Sequence, residues 1–220
     1  MSSFRRDAVV ALTSGGLDSL VLVRTLLDDG ADVWPVYVRC GVRWEAAELA
    51  WLRRWLARLP PRRLKPLGVV ELPVGPLYGS HWSLTGRRVP SSGSRDAAVY
   101  LPGRNVLLIG VAATYAAQRG ISRVALGTLN GNPFGDATPA FFRRYAQVLR
   151  QALGRPMRLE APLRRLTKAQ LIAAHPDAPY QLTSSCMAPV RRQHCGRCNK
   201  CAERRRAFRR AGAIDPTPYA

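Results

Sequence analysis

Ala8-Val9-Val10-Ala11-Leu12-Thr13-Ser14-Gly15-Gly16-Leu17-Asp18-Ser19 decides the fold. Residues 8–13 read as a buried strand, and residues 17–28 read as a helix stopped by Gly30. The glycine turn between a first strand and its helix is where open α/β sheets carry their chemistry. Paired glycines let the backbone turn tightly and approach an anion closely. The helix start presents free N–H groups and a positive dipole end. Ser14 and Ser19 add hydroxyl donors. Asp18 does not suit phosphate, but it suits a bound magnesium ion or the capping of loop amides. The plain alternative is a Gly-Gly turn with a Ser or Asp N-cap. The position directly after the first strand favours the anion site.

Working outward, strands and helices alternate. Residues 32–39, rich in valine and aromatics, read as a second strand. Residues 44–59 read as a helix, with Trp44, Trp51, Leu52, Trp55, Leu56 and Leu59 at helical spacing, ended by Pro60-Pro61. Residues 68–73 are a third strand. Residues 75–94 are irregular, rich in Gly, Ser and Pro, and too long for an ordinary connection, which makes them a candidate lid or substrate loop. Residues 105–119 are apolar almost all round and read as a buried helix capped by Gly120. A fourth strand over 121–126, a loop over 128–138, a helix over 139–153, a fifth strand over 157–161 and a capped helix over 167–174 follow. Residues 186–220 hold a cysteine region and a basic helix. This alternation predicts a parallel sheet with helices on both faces. The chain divides into a nucleotide-binding domain over 1–183 and a C-terminal metal-binding segment over 184–220 packed on it.

With 220 residues and 47% apolar content, the chain suits one α/β domain with a full core. No run approaches the roughly 18 to 20 apolar residues of a membrane helix. The polar N-terminus leads straight into the first strand without the core of an export signal, so a cytoplasmic enzyme without membrane contact is expected. The net charge of +20 points to nucleic acid. Yet only Lys65, Lys168 and Lys200 are lysines, and an arginine bias also arises from genome composition. The arginines are spread along the chain, densest from Arg204 to Arg210. A solvated basic surface is therefore favoured over a dedicated RNA face.

Cys186, Cys195, Cys198 and Cys201 form C-x8-C-x2-C-x2-C, while Cys40 stands alone. Clustered cysteines in such a chain read as metal ligands before disulfides. Four thiolates close a tetrahedral zinc shell, which makes the zinc structural rather than catalytic; an iron–sulfur cluster is the weaker option. Gly196 fits the sharp turn between them. His194 is able to replace a cysteine but is not needed. His81 and His175 read as ordinary loop residues, and Cys40 as a small buried side chain.

The string Ser14-Gly15-Gly16-Leu17-Asp18-Ser19 matches the pyrophosphate loop of ATP pyrophosphatases. Further matches are Leu101-Pro102-Gly103-Arg104-Asn105, Leu166-Thr167-Lys168-Ala169 and Ser185-Cys186. The tail adds Cys195-Gly196-x-Cys198-x-x-Cys201, Arg204, Phe208, Ala211-Gly212 and Asp215-Pro216-Thr217-x-Tyr219. Through these motifs, in this order, the chain resembles the 7-cyano-7-deazaguanine synthase family of the queuosine pathway. The resemblance implies a Rossmann-like adenine-nucleotide α-hydrolase (pyrophosphate-loop) fold and a homodimer. It implies adenylation of 7-carboxy-7-deazaguanine by ATP, displacement of AMP by ammonia, and a second activation that dehydrates the amide to the nitrile. Thr13, Ser14, Gly15, Gly16, Leu17, Asp18, Ser19 and Asn105 are the expected ATP-binding residues, and Asp18, Lys168 and Arg104 the expected catalytic ones. Arg104 and Lys168 read equally as surface charges, and Asn105 as a cap of the following helix. Asp136 and Phe134 read as substrate contacts or as part of an ordinary turn.

Three segments depart from the family. The usual Tyr-Pro-Asp-Cys-Arg-like segment is replaced by residues 130–138, and the Tyr-Gly-Gln after the second strand by Arg39-Cys40-Gly41-Val42-Arg43-Trp44. Ser184 and Met187 replace the Trp and Tyr that flank Ser-Cys. A divergent member that adenylates another acid, or a protein terminus, is the alternative within the family. A tRNA-modifying pyrophosphatase is favoured by the charge but lacks an appended RNA-binding domain. A zinc-knuckle RNA-binding module leaves the glycine turn without a role.

Overall fold

β1 (Ala8–Leu12) pairs in parallel with β2 (Asp32–Arg39), Ala8 opposite Asp32 and Leu12 opposite Val36. β3 (Gly68–Glu71) lies outside β2, while β4 (Arg123–Leu126) pairs with the free side of β1 and β5 (Arg158–Glu160) closes that flank. The order β3-β2-β1-β4-β5 reverses direction between β1 and β4, both with parallel neighbours. Such a reversal opens a crevice at the carboxyl ends of the two strands. The computed structural model describes residues 7–220. The polar stretch 1–6, on which the expected absence of an export signal partly rests, lies outside them.

Both faces of the sheet are covered, and β1 shows why its sequence is an unbroken apolar run. Val9 and Ala11 face one layer with Val33 and Tyr37; Ala8 and Val10 face the other with Val36 and Val38. The first layer holds α1 (Leu17–Asp28) and α2 (Glu45–Leu56). After the third strand come two single-turn helices, α3 (Gly75–Tyr78) and α4 (Trp82–Thr85). The second layer holds α5 (Arg104–Ala117) and α6 (Pro139–Leu153). α7 (Lys168–Ala174) and α8 (Asn199–Arg210) return to the first layer. α7 starts with a reciprocal cap between Thr167 and Gln170, as the sequence indicates. Among the described residues no helix is long and apolar enough to cross a membrane.

Three local expectations need correction. Trp44 does not lie within α2 but precedes it, and its ring stacks on Trp82 at 5.7 Å instead of joining the helix's buried face. The segment 75–94 is not irregular throughout: it carries α3 and α4, the latter begun by His81 Nδ1 accepting the Ser83 N–H. α5 is not buried all round. Leu108, Ile109, Ala112, Ala113 and Ala116 pack inward, whereas Val106 is 37% exposed on the opposite side. The end of α5 is as read, with Ile121 N–H returning to Ala116 O and Gly120 N–H to Ala117 O.

Candidate nucleotide site and metal centre

The glycine turn leaves β1 at the crevice and is held by its own hydroxyls. Ser14 N–H donates to Ser19 Oγ at 3.0 Å, and Gly16 N–H donates to Ser14 Oγ at 3.1 Å. Ser184 N–H, from the C-terminal segment, donates to Gly15 O at 2.7 Å. Gly15 has no room for a side chain: an added Cβ lies 2.5 Å from the backbone oxygen of Glu48 in α2. The β4 loop closes in from the other side, where a Cβ on Gly127 lies 3.2 Å from the Asp18 backbone. Thr13 faces inward and bonds Val36 O through both its amide and its hydroxyl. Leu17 is buried in the core, and Ser19 braces the turn from beneath.

Above the turn opens a cavity of about 310 Å³, within the size range of small-ligand pockets. Ser14, Gly16, Asp18, Arg104, Asn105 and Lys168 all line it, so these expected residues converge from three separate segments. Its apolar walls are two aromatic pairs, Trp44 with Trp82 and Tyr100 with Phe134, the latter stacked at 4.8 Å. Asn105 does not cap its own helix with its side chain. Asp136 does so instead, accepting the Asn105 N–H at 3.1 Å and its side-chain amide at 3.2 Å. Arg104 Nε is buried without a partner among the described residues.

The charges at the cavity floor interlock. Lys168 Nζ lies 3.3 Å from Asp18 Oδ2 and 2.5 Å from Glu203 Oε1; Lys200 Nζ lies 2.5 Å from Glu203 Oε2. Burial raises the Asp18 carboxyl above the usual range, against the pull of Lys168. Burial works against the Lys168 ammonium, but Asp18 and Glu203 outweigh it and hold the proton on. Asp18 Oδ1 is buried and has no partner among the described residues. An oxygen of that kind beside a glycine turn able to bind an anion fits a magnesium ligand. Glu48, also on the wall, is pushed up by burial, opposed by Arg104, and accepts the Tyr37 hydroxyl at 2.8 Å.

Sequence reasoning missed Glu203, Lys200 and Glu48. One signal was available. Lysine occurs only three times among 34 basic residues, and two of the three meet at this floor.

The cysteine cluster sits against the same cavity through Cys186. The four Sγ atoms are buried and lie within 4.8 Å of one another. Cys198 and Cys201 Sγ are 3.5 Å apart; zinc–sulfur bonds of about 2.3 Å in a tetrahedron set sulfurs about 3.8 Å apart. Cys186 Sγ accepts the N–H groups of Ala188 at 3.3 Å and Cys195 at 3.2 Å, as a metal-bound thiolate does. The donor set fits a metal. Gly196 makes the turn with φ of 70°. His194 lies outside the shell: its Nε2 accepts the Ser185 N–H at 2.9 Å, and burial with nearby Arg204 lowers its pKa to about 4. Cys40 is buried, which raises its thiol pKa. The basic tail is not wholly a solvated surface. Arg204 is buried, bonded to Asp215, Thr183 Oγ1 and Tyr180 O.

A family model described as queuosine biosynthesis protein QueC matches residues 8–212. A 7-cyano-7-deazaguanine synthase of Anaeromyxobacter sp. (strain Fw109-5) is 35% identical, covering 96% of this chain and 95% of that protein. Its counterpart in Anaeromyxobacter dehalogenans (strain 2CP-C) is 35% identical over 100% of this chain and 98% of that protein. The one in Acidobacterium capsulatum is 30% identical over 98% of each. A solved structure described as a predicted subunit of tRNA methyltransferase from Methanocaldococcus jannaschii aligns with a TM-score of 0.46 and 17% identity, over 74% of this chain and 73% of that one. A likeness that weak bears on neither fold nor function.

Proposed function

The chain belongs to the queuosine biosynthesis protein QueC family and is an ATP-dependent ligase-type enzyme, and on that premise we propose that it converts 7-carboxy-7-deazaguanine and ammonia to 7-cyano-7-deazaguanine through an adenylated carboxylate. One observation carries the reading: the glycine turn, Asp18, Lys168, Arg104 and two aromatic pairs line a single cavity. A carboxylate is a poor electrophile, and AMP supplies a leaving group. The substrate carboxylate attacks the α-phosphorus and pyrophosphate departs. Ammonia then attacks the acyl carbon, AMP departs, and a proton is released. A second adenylation, now on the amide oxygen, lets AMP leave as the nitrile forms.

The loop N–H groups of Ser14 to Ser19, with Lys168 and Arg104, stabilise charge on the phosphate oxygens in this scheme. Asn105, held by Asp136, fixes the first turn of α5, from which Arg104 lines the cavity. Trp44, Trp82, Tyr100 and Phe134 offer faces for adenine and for the deazapurine. Asp18 would hold magnesium, which supplies further neutralisation of the phosphate chain. Cys186, Cys195, Cys198 and Cys201 would hold a structural zinc. Residues 1–183 act as the nucleotide-binding domain and 184–220 as the zinc segment packed on it. The enzyme is cytoplasmic and works as a homodimer.

The test is to incubate the purified protein with ATP, magnesium, ammonium and 7-carboxy-7-deazaguanine and to follow products by mass spectrometry. Nitrile with AMP and pyrophosphate is the expected result. AMP without conversion of the base assigns the altered loops to another acid. No ATP turnover by folded, zinc-loaded protein refutes the reading.

A further inference from the structure

Lys200 stands between Cys198 and Cys201, inside the last two-residue spacer of the cysteine motif. A metal held by its neighbours would fix its backbone, and its side chain reaches the cavity floor beside Lys168. Glu203 links the two, one carboxylate oxygen 2.5 Å from each ammonium. A second, smaller space of about 170 Å³ continues beyond the floor under the β4 loop, and the same Asp18, Lys168 and Lys200 border it. Lys168 also pairs with Asp18, whereas Lys200 pairs with Glu203 alone among the described residues. Lysine is a compact charge suited to phosphate, and this chain otherwise builds its basic surface from arginine.

Resting on the reading that ATP is cleaved here, we propose that Lys200 is a second ammonium contact for the β- and γ-phosphates, carried to the site by the metal knuckle, with Glu203 as the counter-ion shared with Lys168. Without nucleotide, Glu203 keeps two like charges side by side. With nucleotide, the phosphate oxygens take over as partners of Lys200, and the departing pyrophosphate remains between the two lysines.

The test measures binding of inorganic pyrophosphate, of α,β-methylene ATP and of AMP to the metal-loaded protein by calorimetry. Lys200→Met weakens pyrophosphate and the ATP analogue about tenfold, as loss of one charge-assisted contact does, and leaves AMP binding unchanged. Lys200→Arg recovers part of the loss. Glu203→Gln, which frees both ammonium groups, tightens pyrophosphate, and Lys200→Met made on top of Glu203→Gln removes the share of that gain that Lys200 carries, leaving only the share of Lys168. The double variant keeps the test decisive if Lys200→Met alone folds poorly. Equal pyrophosphate binding by wild type and Lys200→Met, with equal metal content, overturns the proposal alone. A wild type that binds none of the three probes overturns the ATP reading together with it.

Discussion

Replacing Gly15 by alanine tests how tightly α2 seats the glycine turn. The new Cβ would stand 2.5 Å from Glu48 O, 3.0 Å from Glu48 Cγ and 3.2 Å from the Glu48 carbonyl carbon. Unstrained carbon contacts lie at about 3.5–4.0 Å, so the loop and α2 must part by about 0.5–1 Å. The obstacle is mainly backbone inside a helix, which cannot turn aside as a side chain does. Overpacking of this kind destabilises by about 1–3 kcal/mol. A displacement near 1 Å at a reacting centre lowers the rate by about a hundredfold. Gly16→Ala is the internal control. Its Cβ meets only Ser14 Oγ at 3.2 Å and Ser184 O at 3.6 Å, and a hydroxyl can rotate. Urea unfolding of both variants, with AMP formation measured in parallel, gives the comparison. The expected order is a large loss of stability and turnover for Gly15→Ala and a small stability loss for Gly16→Ala. If Gly15→Ala is no less stable than Gly16→Ala, the close approach of α2 does not constrain the loop and the reasoning fails.

Asp215→Ala leaves the Arg204 guanidinium buried with the neutral acceptors Thr183 Oγ1, Ser185 Oγ and Tyr180 O and no carboxylate partner among the described residues; the expected cost is about 3–5 kcal/mol in chemical denaturation. Elemental analysis is expected to give one zinc per chain, and Cys201→Ser lowers both that content and the melting midpoint; full metal content in the variant would count against the cluster. Glu48→Gln tests the raised carboxyl. A carboxyl held above its ordinary 4.5 favours the protonated folded state, so its stabilisation is complete at low pH and is lost as pH rises through the raised value. The amide mimics the protonated form, so the variant is more stable than wild type at pH 8, with the advantage gone below about pH 4.5; an advantage independent of pH would refute this.

Much of the scaffold was legible because local signals agreed with one another. α1, β2 and α6 run as the sequence indicates, each bounded by a glycine, a proline or a capping threonine. The parallel sheet follows from alternation, and β1 is apolar because both its faces are covered. What lay outside reach was long-range. Nothing near Trp44 shows that its ring turns to meet Trp82, and nothing near Arg204 shows that Asp215, Thr183 and Tyr180 surround it. Glu203 reads as one acid in a basic helix until α8 is packed beside α7, where it meets Lys168. Val106 reads as core until the sheet is seen to occupy only one side of α5. Periodicity reports which residues share a face, and only packing reports what that face meets.

The placement of α8 accounts for the cysteine cluster standing beside the candidate nucleotide site. Its sequence, Asn-Lys-Cys-Ala-Glu-Arg-Arg-Arg-Ala-Phe-Arg-Arg, has too little apolar surface to dock by burial. Its buried residues are Asn199, Cys201, Arg204, Ala207 and Phe208, of which only Phe208 is a large apolar side chain. Attachment therefore rests on directional contacts: the thiolates of Cys198 and Cys201 at its start, the Arg204–Asp215 pair in its middle, and Phe208 edge-on to Tyr180 near its end. Lys200 and Glu203 sit in the first turns, next to the metal ligands. The segment 184–186 joins the same construction, with Ser184 N–H on Gly15 O, Ser185 N–H on His194, and Cys186 in the cluster. The cysteines thus bear on both the loop that would grip phosphate and the charges beneath it. Stripping the metal should loosen the phosphate end of the cavity before it disturbs the sheet, whose core is carried by β1, α1 and α5.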